Sequence, residues 1–190
     1  MRHRSQKTVS LMVIAAAMIL AVGVGWFLAK RHSERPSGMA GIPFHPEKDG
    51  RRVVAHLYFG DAPGRYLSSE QRTVVRPEAA AAYARVLVDL LIKGPLEGGS
   101  RTLPDTARVR AVYVGGDGVA YVDFFKDAFE RHPGGVGSEL MTLFSVVNTL
   151  VLNIEEIRSV KLLIGGREAA TLAGHVDISP AYRAAMLWVR

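Results

Sequence analysis

From Val9 to Ala29 the chain runs 21 residues without one ionisable side chain. As a helix rising about 1.5 Å per residue, such a run is about 31 Å long, the thickness of a bilayer's hydrocarbon core. A cleaved secretory signal has a shorter apolar core, usually about 7–15 residues, and ends in a small-x-small site. Here bulky Phe27 stands two residues before Ala29. An uncleaved membrane anchor is therefore expected over residues 9–29, after a basic cytoplasmic segment, 1–8. Arg2, Arg4 and Lys7 precede the run, and Lys30, Arg31 and Arg35 come after it, the last group diluted by Glu34. The expected orientation keeps the short basic end inside and exports the rest of the chain. Trp26 and Phe27 suit the far interface. Ala17, Ala21, Gly25 and Ala29 form a small-residue stripe that lets two helices approach, although membrane helices are rich in such residues anyway.

Residues 30–50 mix Pro36, Pro43 and Pro46 with Gly38, Gly41 and Gly50 and show no apolar period, which reads as a linker. Fully extended it reaches about 70 Å. The remaining residues, 51–190, suffice for one globular domain. Residues 1–50 hold seven basic and three acidic side chains, and the other 140 hold 17 and 15. The net charge of +6 therefore sits mostly beside the anchor, and no nucleic-acid partner is expected. The chain has no cysteine, which removes disulfides, cysteine-ligated metals, thiol catalysis and a lipid-modified cysteine.

Within the domain, β-branched and aromatic residues mark a strand over 53–60, closed by the turn cluster Gly60-Asp61-Ala62-Pro63-Gly64. A short second run covers 72–75. Pro77 is placed to open a helix, with Glu78 in its first turn. Tyr83, Val86, Leu87, Leu90 and Leu91 share one helical face, and Gly94-Pro95 ends it. Two runs, 107–114 and 119–125, flank Gly115-Gly116-Asp117-Gly118 as a hairpin. Ser138 is the expected N-cap of a second helix, with Glu139 near its start. Leu140, Leu143, Phe144, Val147, Leu150 and Val151 form its apolar face. The chain then continues with a strand over 159–164, a Gly165-Gly166 turn and a last strand or extended tail over 170–176. The expected class is α+β, with order β-α-β-β-α-β and two helices packed on one face of a mostly antiparallel or mixed sheet.

No convincing catalytic set emerges. Asp123, Asp127 and Glu130 invite comparison with a glycosidase carboxylate pair, but a strand-end and a turn aspartate more commonly bond local backbone N–H groups. His56, His132 and His175 have no metal-ligand spacing, and His56 is expected on an edge or surface. Gly134-Gly135-Val136-Gly137-Ser138 resembles a phosphate cradle but lacks the lysine, and no G-x-S-x-G elbow occurs. No metal, no cofactor and no enzymatic activity are expected.

A spaced set of residues then carries a family resemblance. It comprises Leu57-Tyr58-Phe59, Arg72, Leu90 to Pro95, Leu103-Pro104, Tyr121 to Phe124, Asn148-Thr149-Leu150, Val160, Ile164-Gly165-Gly166 and His175 to Ser179. In order and spacing it resembles the GerMN domain of spore-germination and sporulation proteins, over about residues 52–183. That resemblance implies a non-catalytic extracytoplasmic module of the cell envelope that works by protein association, with envelope proteins or a second copy as partner. Gly94, Pro95, Pro104, Asp123, Thr149, Gly165 and Asp177 are the motif positions it carries over, with structural roles. A cell-wall glycan binder or hydrolase using Asp123, Asp127 or Asp177 is the alternative, with peptidoglycan as its partner. The expected place is the cytoplasmic membrane, single-pass, with the domain facing the periplasm or exterior.

Overall fold

The computed structural model describes residues 51–190. The segments expected as cytoplasmic end, membrane helix and linker lie outside the described residues. The elements run β1 (Arg51–Gly60), β2 (Leu67–Arg76), α1 (Ala80–Lys93), β3 (Val109–Val114), β4 (Val119–Phe124), α2 (Val136–Asn153), β5 (Ser159–Ile164) and β6 (Arg167–Glu168), with a 3-10 turn at Met186–Trp188. The class is α+β.

The order departs from expectation because the second run is a full strand. Leu67–Arg76 pairs with all of β1 in an antiparallel hairpin, Gly60 opposite Leu67 and Arg51 opposite Arg76. Its first part, Leu67 to Glu70, is masked in the sequence by serines, which score poorly as strand formers yet alternate correctly between the two faces. Instead of one sheet there are two, this hairpin and a four-stranded sheet ordered β3-β4-β5-β6. The larger sheet is mixed: β3–β4 and β5–β6 are antiparallel, while β4 and β5 are parallel, joined by α2. A parallel pair requires such a crossover, because a tight turn cannot reverse the chain twice.

Ala120, Val122 and Phe124 of β4 lie beside Val160, Leu162 and Ile164 of β5 and form the sheet's inner face. Tyr83, Leu87 and Leu91 of α1 complete the core. Three boundaries shift. Pro77 and Glu78 precede α1, whose cap is Ala79, so no acidic residue sits in its first turn. α2 begins at Val136 after Gly135, and the Ser138 hydroxyl donates back to the Gly134 carbonyl at 2.7 Å instead of capping. The tail after β6 forms no further strand and is tied by isolated bridges, Thr171 with Asp177, Val160 with Tyr182 and Leu67 with Val189.

α2 is 18 residues long and apolar enough to cross a membrane, but it is the central helix of this domain, buried along its length from Met141 to Leu150. Its polar residues Thr142, Ser145, Thr149 and Asn153 recur every three or four positions and so share one face. That face lies along the edge of β1 that β2 leaves free. The His56 N–H donates to Asn153 Oδ1 (2.8 Å), and Asn153 Nδ2 donates to the His56 carbonyl (2.7 Å). The Tyr58 N–H donates to Thr149 Oγ1 (3.1 Å), and Ser145 Oγ donates to the Tyr58 carbonyl (2.6 Å). Two residues on, Gly60 exchanges two backbone bonds with Ser100. Helix side chains thus replace a neighbouring strand and close an edge that would otherwise pair with another chain.

Candidate functional site

The residues singled out from sequence fall into four separate knots. Asp123, fully buried on β4, accepts the Gly166 N–H at 2.8 Å and forms an ion pair with Arg110 of β3. It ties the β5–β6 turn to the sheet. Gly165 and Gly166 both have left-handed φ, 62° and 79°, and a Cβ on Gly166 would lie 2.5 Å from Arg110 Nη2. The ion pair and the turn therefore require each other.

Gly94 ends α1 at φ 87°. Arg101 lies over it, donating to the carbonyls of Ile92 (2.6 Å) and Lys93 (2.8 Å), which satisfies two helix-end acceptors. Arg72 of β2 donates to the Gly94 carbonyl (2.7 Å) and to Glu70, while Glu70 accepts the N–H groups of Leu96 (2.9 Å) and Glu97 (3.1 Å) just past Pro95. Burial pushes the Glu70 carboxyl up, and the bonds from Arg72, Leu96 and Glu97 outweigh it, so it titrates below its ordinary value. This network docks the helix exit onto the hairpin. Glu70 and Arg101 are not distinguished in the sequence, since nothing local sets them apart from surface charges.

Thr149 belongs to the ladder on β1, and Asp177 closes a turn in the C-terminal segment. Asp177 Oδ1 accepts the Ser179 N–H at 2.8 Å, and the bonds from Ser179 hold its carboxyl below the usual range. Tyr182 donates its hydroxyl to the Asp177 carbonyl. Pro104 lies in a loop whose carbonyl accepts the Ala107 N–H at 3.0 Å.

The carboxylates considered for glycoside cleavage do not converge. Asp127 is exposed and pairs with Arg108 (2.8 Å), while Asp123 is fully buried and spent on Arg110 and Gly166. Among the described residues no group of three histidines and acids could hold a metal ion. The glycine-rich entry to α2 is occupied from within: Glu139, fully buried in the first turn, accepts the N–H groups of His175 (3.1 Å) and Val176 (3.1 Å) and the His175 ring N–H (2.8 Å). Burial pushes this carboxyl up, and the Val176 and His175 bonds more than reverse it.

One pairing looks catalytic at first sight. His132 Nε2 lies 2.8 Å from Thr142 Oγ1, a base-and-hydroxyl geometry. However, His132 Nδ1 accepts the Gly134 N–H at 3.1 Å, so the ring proton sits on Nε2 and is donated to the threonine. Burial pushes this imidazole down in pKa, and Thr142 is itself fully buried. The arrangement fastens the 132–135 loop to α2.

The nearby cleft, about 450 Å3, lies between the 100–105 and 131–138 loops, with Ser100, Pro104, Asp105 and Arg131 on its walls. His132 and Ser138 also line it, with His132 bonded to Thr142 and Gly134 and Ser138 donating to the Gly134 carbonyl. A different surface is set by the register of the larger sheet: Tyr113, Tyr121 and Lys161 stand side by side across β3, β4 and β5 on the face opposite the core. Tyr113 is exposed, and the other two are half-buried.

Comparison with known proteins gives one family and several solved structures of similar fold. The model of the Germane family, described as sporulation and spore germination, matches residues 56–170. The tandem GerMN domains of the sporulation protein GerM from Bacillus subtilis are 24% identical, with a TM-score of 0.57, over 70% of this chain and 46% of that one. The chain thus spans under half of the tandem structure. The first GerMN domain of the same protein is 25% identical (TM-score 0.54), over 69% of this chain and 97% of that one. A Clostridium perfringens protein described as a lipoprotein is 22% identical (TM-score 0.51), over 74% and 92% of the two chains. No curated protein matches.

Proposed function

The chain belongs to the Germane family of sporulation and spore germination, and from that premise we propose that it is a membrane-anchored, non-catalytic association module of the cell envelope. Residues 9–29 tether it, residues 30–50 link the tether to the domain, and residues 51–190 contact envelope proteins or a second copy outside the cytoplasm. The observation that supports this reading most is where the motif residues are spent. Gly94, Asp123, Thr149, Gly165 and Asp177 each close a helix, turn or strand edge. Among the described residues no buried side-chain nitrogen or oxygen is left without a partner. A Clostridium perfringens structural relative described as a lipoprotein fits attachment to the envelope.

Site-specific photo-crosslinking of the full chain in native membranes tests it. The expected result is a discrete adduct, with itself or with one envelope protein, formed from residues on one surface of the domain. A chain that stays monomeric and forms no adduct from any surface position would overturn the reading.

The second reading, a cell-wall glycan binder, draws on the Tyr113–Tyr121 pair, since aromatic faces on an open sheet stack against sugar rings; Lys161 beside them is paired with Glu168. Cosedimentation of the full chain with purified peptidoglycan, lost in Tyr121→Ala, is the outcome that would favour it.

A further inference from the structure

The C-terminal segment presents the most exposed large apolar side chain of the domain, Leu187, with exposed Met186 next to it. Leu187 is 91% exposed and Met186 is 56% exposed, at the tip of the 3-10 turn. Single exposed hydrophobes elsewhere, such as Leu96, are ordinary for a folded surface. This pair is different because the turn beneath it is held firmly. Trp188 stacks on Phe144 of α2 at 6.0 Å between centroids, and Tyr182 meets the same ring edge-on at 5.9 Å. Asn148 receives the Ala185 N–H at 2.9 Å, and the Arg190 N–H donates to the Leu67 carbonyl at 2.9 Å. The knuckle is thus braced on both sides of its tip, so its apolar atoms project without a collapse that would hide them.

Its surroundings are basic. From Ile178 to Arg190 there are two arginines, Arg183 and Arg190, and no acidic residue. Arg190 lies over the Tyr66 ring at 3.9 Å. Asp177, just before this stretch, is bonded to the Ser179 N–H, and Asp61 to those of Arg65 and Tyr66. An exposed apolar tip, a half-buried tryptophan and two exposed arginines, each three residues from the apolar pair, form the pattern that enters the headgroup region of an anionic bilayer. A protein partner has no comparable need for the basic rim.

We propose that the Met186–Leu187 knuckle docks into an anionic lipid surface, laying the domain against the bilayer through a second contact besides its tether. The proposal deepens the reading of the chain as membrane-anchored and rests on it for proximity. Chain length permits it: the knuckle lies at the turn end of the hairpin, beside Leu67, one length of β1 from Arg51. Ten strand residues cover about 33 Å, and the 21 residues before Arg51 reach about twice that.

The chain has no cysteine, so Leu187→Cys supplies a unique site for an environment-sensitive fluorophore, and Leu96→Cys, also largely exposed, a control. The full chain is reconstituted into vesicles of phosphatidylcholine with or without about one-third phosphatidylglycerol. The expected result is a blue-shifted label at position 187, two- to fourfold brighter in anionic vesicles and quenched by brominated acyl chains, with position 96 unaffected. Substituting Arg183 and Arg190 by Gln should reduce the difference between the two lipid compositions at least twofold. A position-187 label that behaves like position 96, or that shifts with protein concentration and not with lipid charge, would overturn the proposal; the latter would indicate a second copy. Alkaline carbonate extraction, run in parallel, reads the tether alone, so loss of anchoring and loss of docking are distinguishable.

Discussion

Replacing Thr149 by Val tests the ladder on which α2 closes the edge of β1. The two side chains have nearly the same shape, and Thr149 is fully buried, so the exchange removes little packing. What it removes is the acceptor for the Tyr58 N–H, 3.1 Å away in a buried setting. A buried donor left unpaired costs about 1–3 kcal/mol, and about 2 kcal/mol is a fair central value. Unfolding entropy near 2.1 cal/mol/K per residue gives about 0.3 kcal/mol/K for a domain of this size, so Tm should fall by about 7 °C. Thr149→Ser keeps the hydroxyl and gives up one methyl, about 1 kcal/mol at most, or about 3 °C. Thermal unfolding of the full chain in detergent, followed by near-UV circular dichroism, separates the two. A valine variant within 2 °C of the parent, or a serine variant less stable than the valine one, would refute the edge-closing role.

Gly94→Ala forces a side chain into a left-handed conformation and places a Cβ 2.8 Å from the Arg101 guanidinium carbon, so denaturant titration should show a loss of about 1–3 kcal/mol. Asp123→Ala frees Arg110 and strips the Gly166 N–H of its acceptor; a loss of about 3 kcal/mol is expected by the same titration, whereas Asp127→Ala, at an exposed pair, should change stability by less than about 1 kcal/mol. Acid should act through Glu139 and Glu70, both held below the ordinary 4.5: their stabilisation is complete above that pH and is lost as pH falls through their folded values. His132, held below 6.5, adds an earlier loss beginning under pH 6.5, and His132→Gln should flatten that first limb in a pH series of denaturant midpoints.

Much of the domain is legible in the sequence because its elements carry strong local signals. The Gly115 to Gly118 turn between two β-branched runs marks the β3–β4 hairpin, and Gly94-Pro95 marks the end of α1. β2 reads short because Ser68, Ser69 and Glu70 have weak strand preference, and only pairing with β1 makes them extended. Ser138 looks like a cap in one dimension, yet two glycines before it with positive φ let the helix start two residues earlier. Of the aspartates expected to bond local backbone N–H groups, Asp123 instead takes the Gly166 N–H, 43 residues away, and Asp127 pairs with Arg108. The recurrence of Thr142, Ser145, Thr149 and Asn153 in an otherwise apolar helix is a readable sign of a polar face, but its partner, the edge of β1, lies about 90 residues away in sequence. Glu139 reads as a helix-start charge, but it is spoken for by His175 and Val176, which no local pattern reveals.

An envelope role requires residues 9–29 to hold residues 51–190 on the outer side of the cytoplasmic membrane. Protease added to intact spheroplasts measures this directly with an antibody to the domain. The expected result is a domain that is digested while a cytoplasmic marker survives, with a small fragment carrying the apolar run left in the membrane. A domain that is protected until the membrane is lysed, or one that leaves with the soluble fraction before any protease is added, would contradict it.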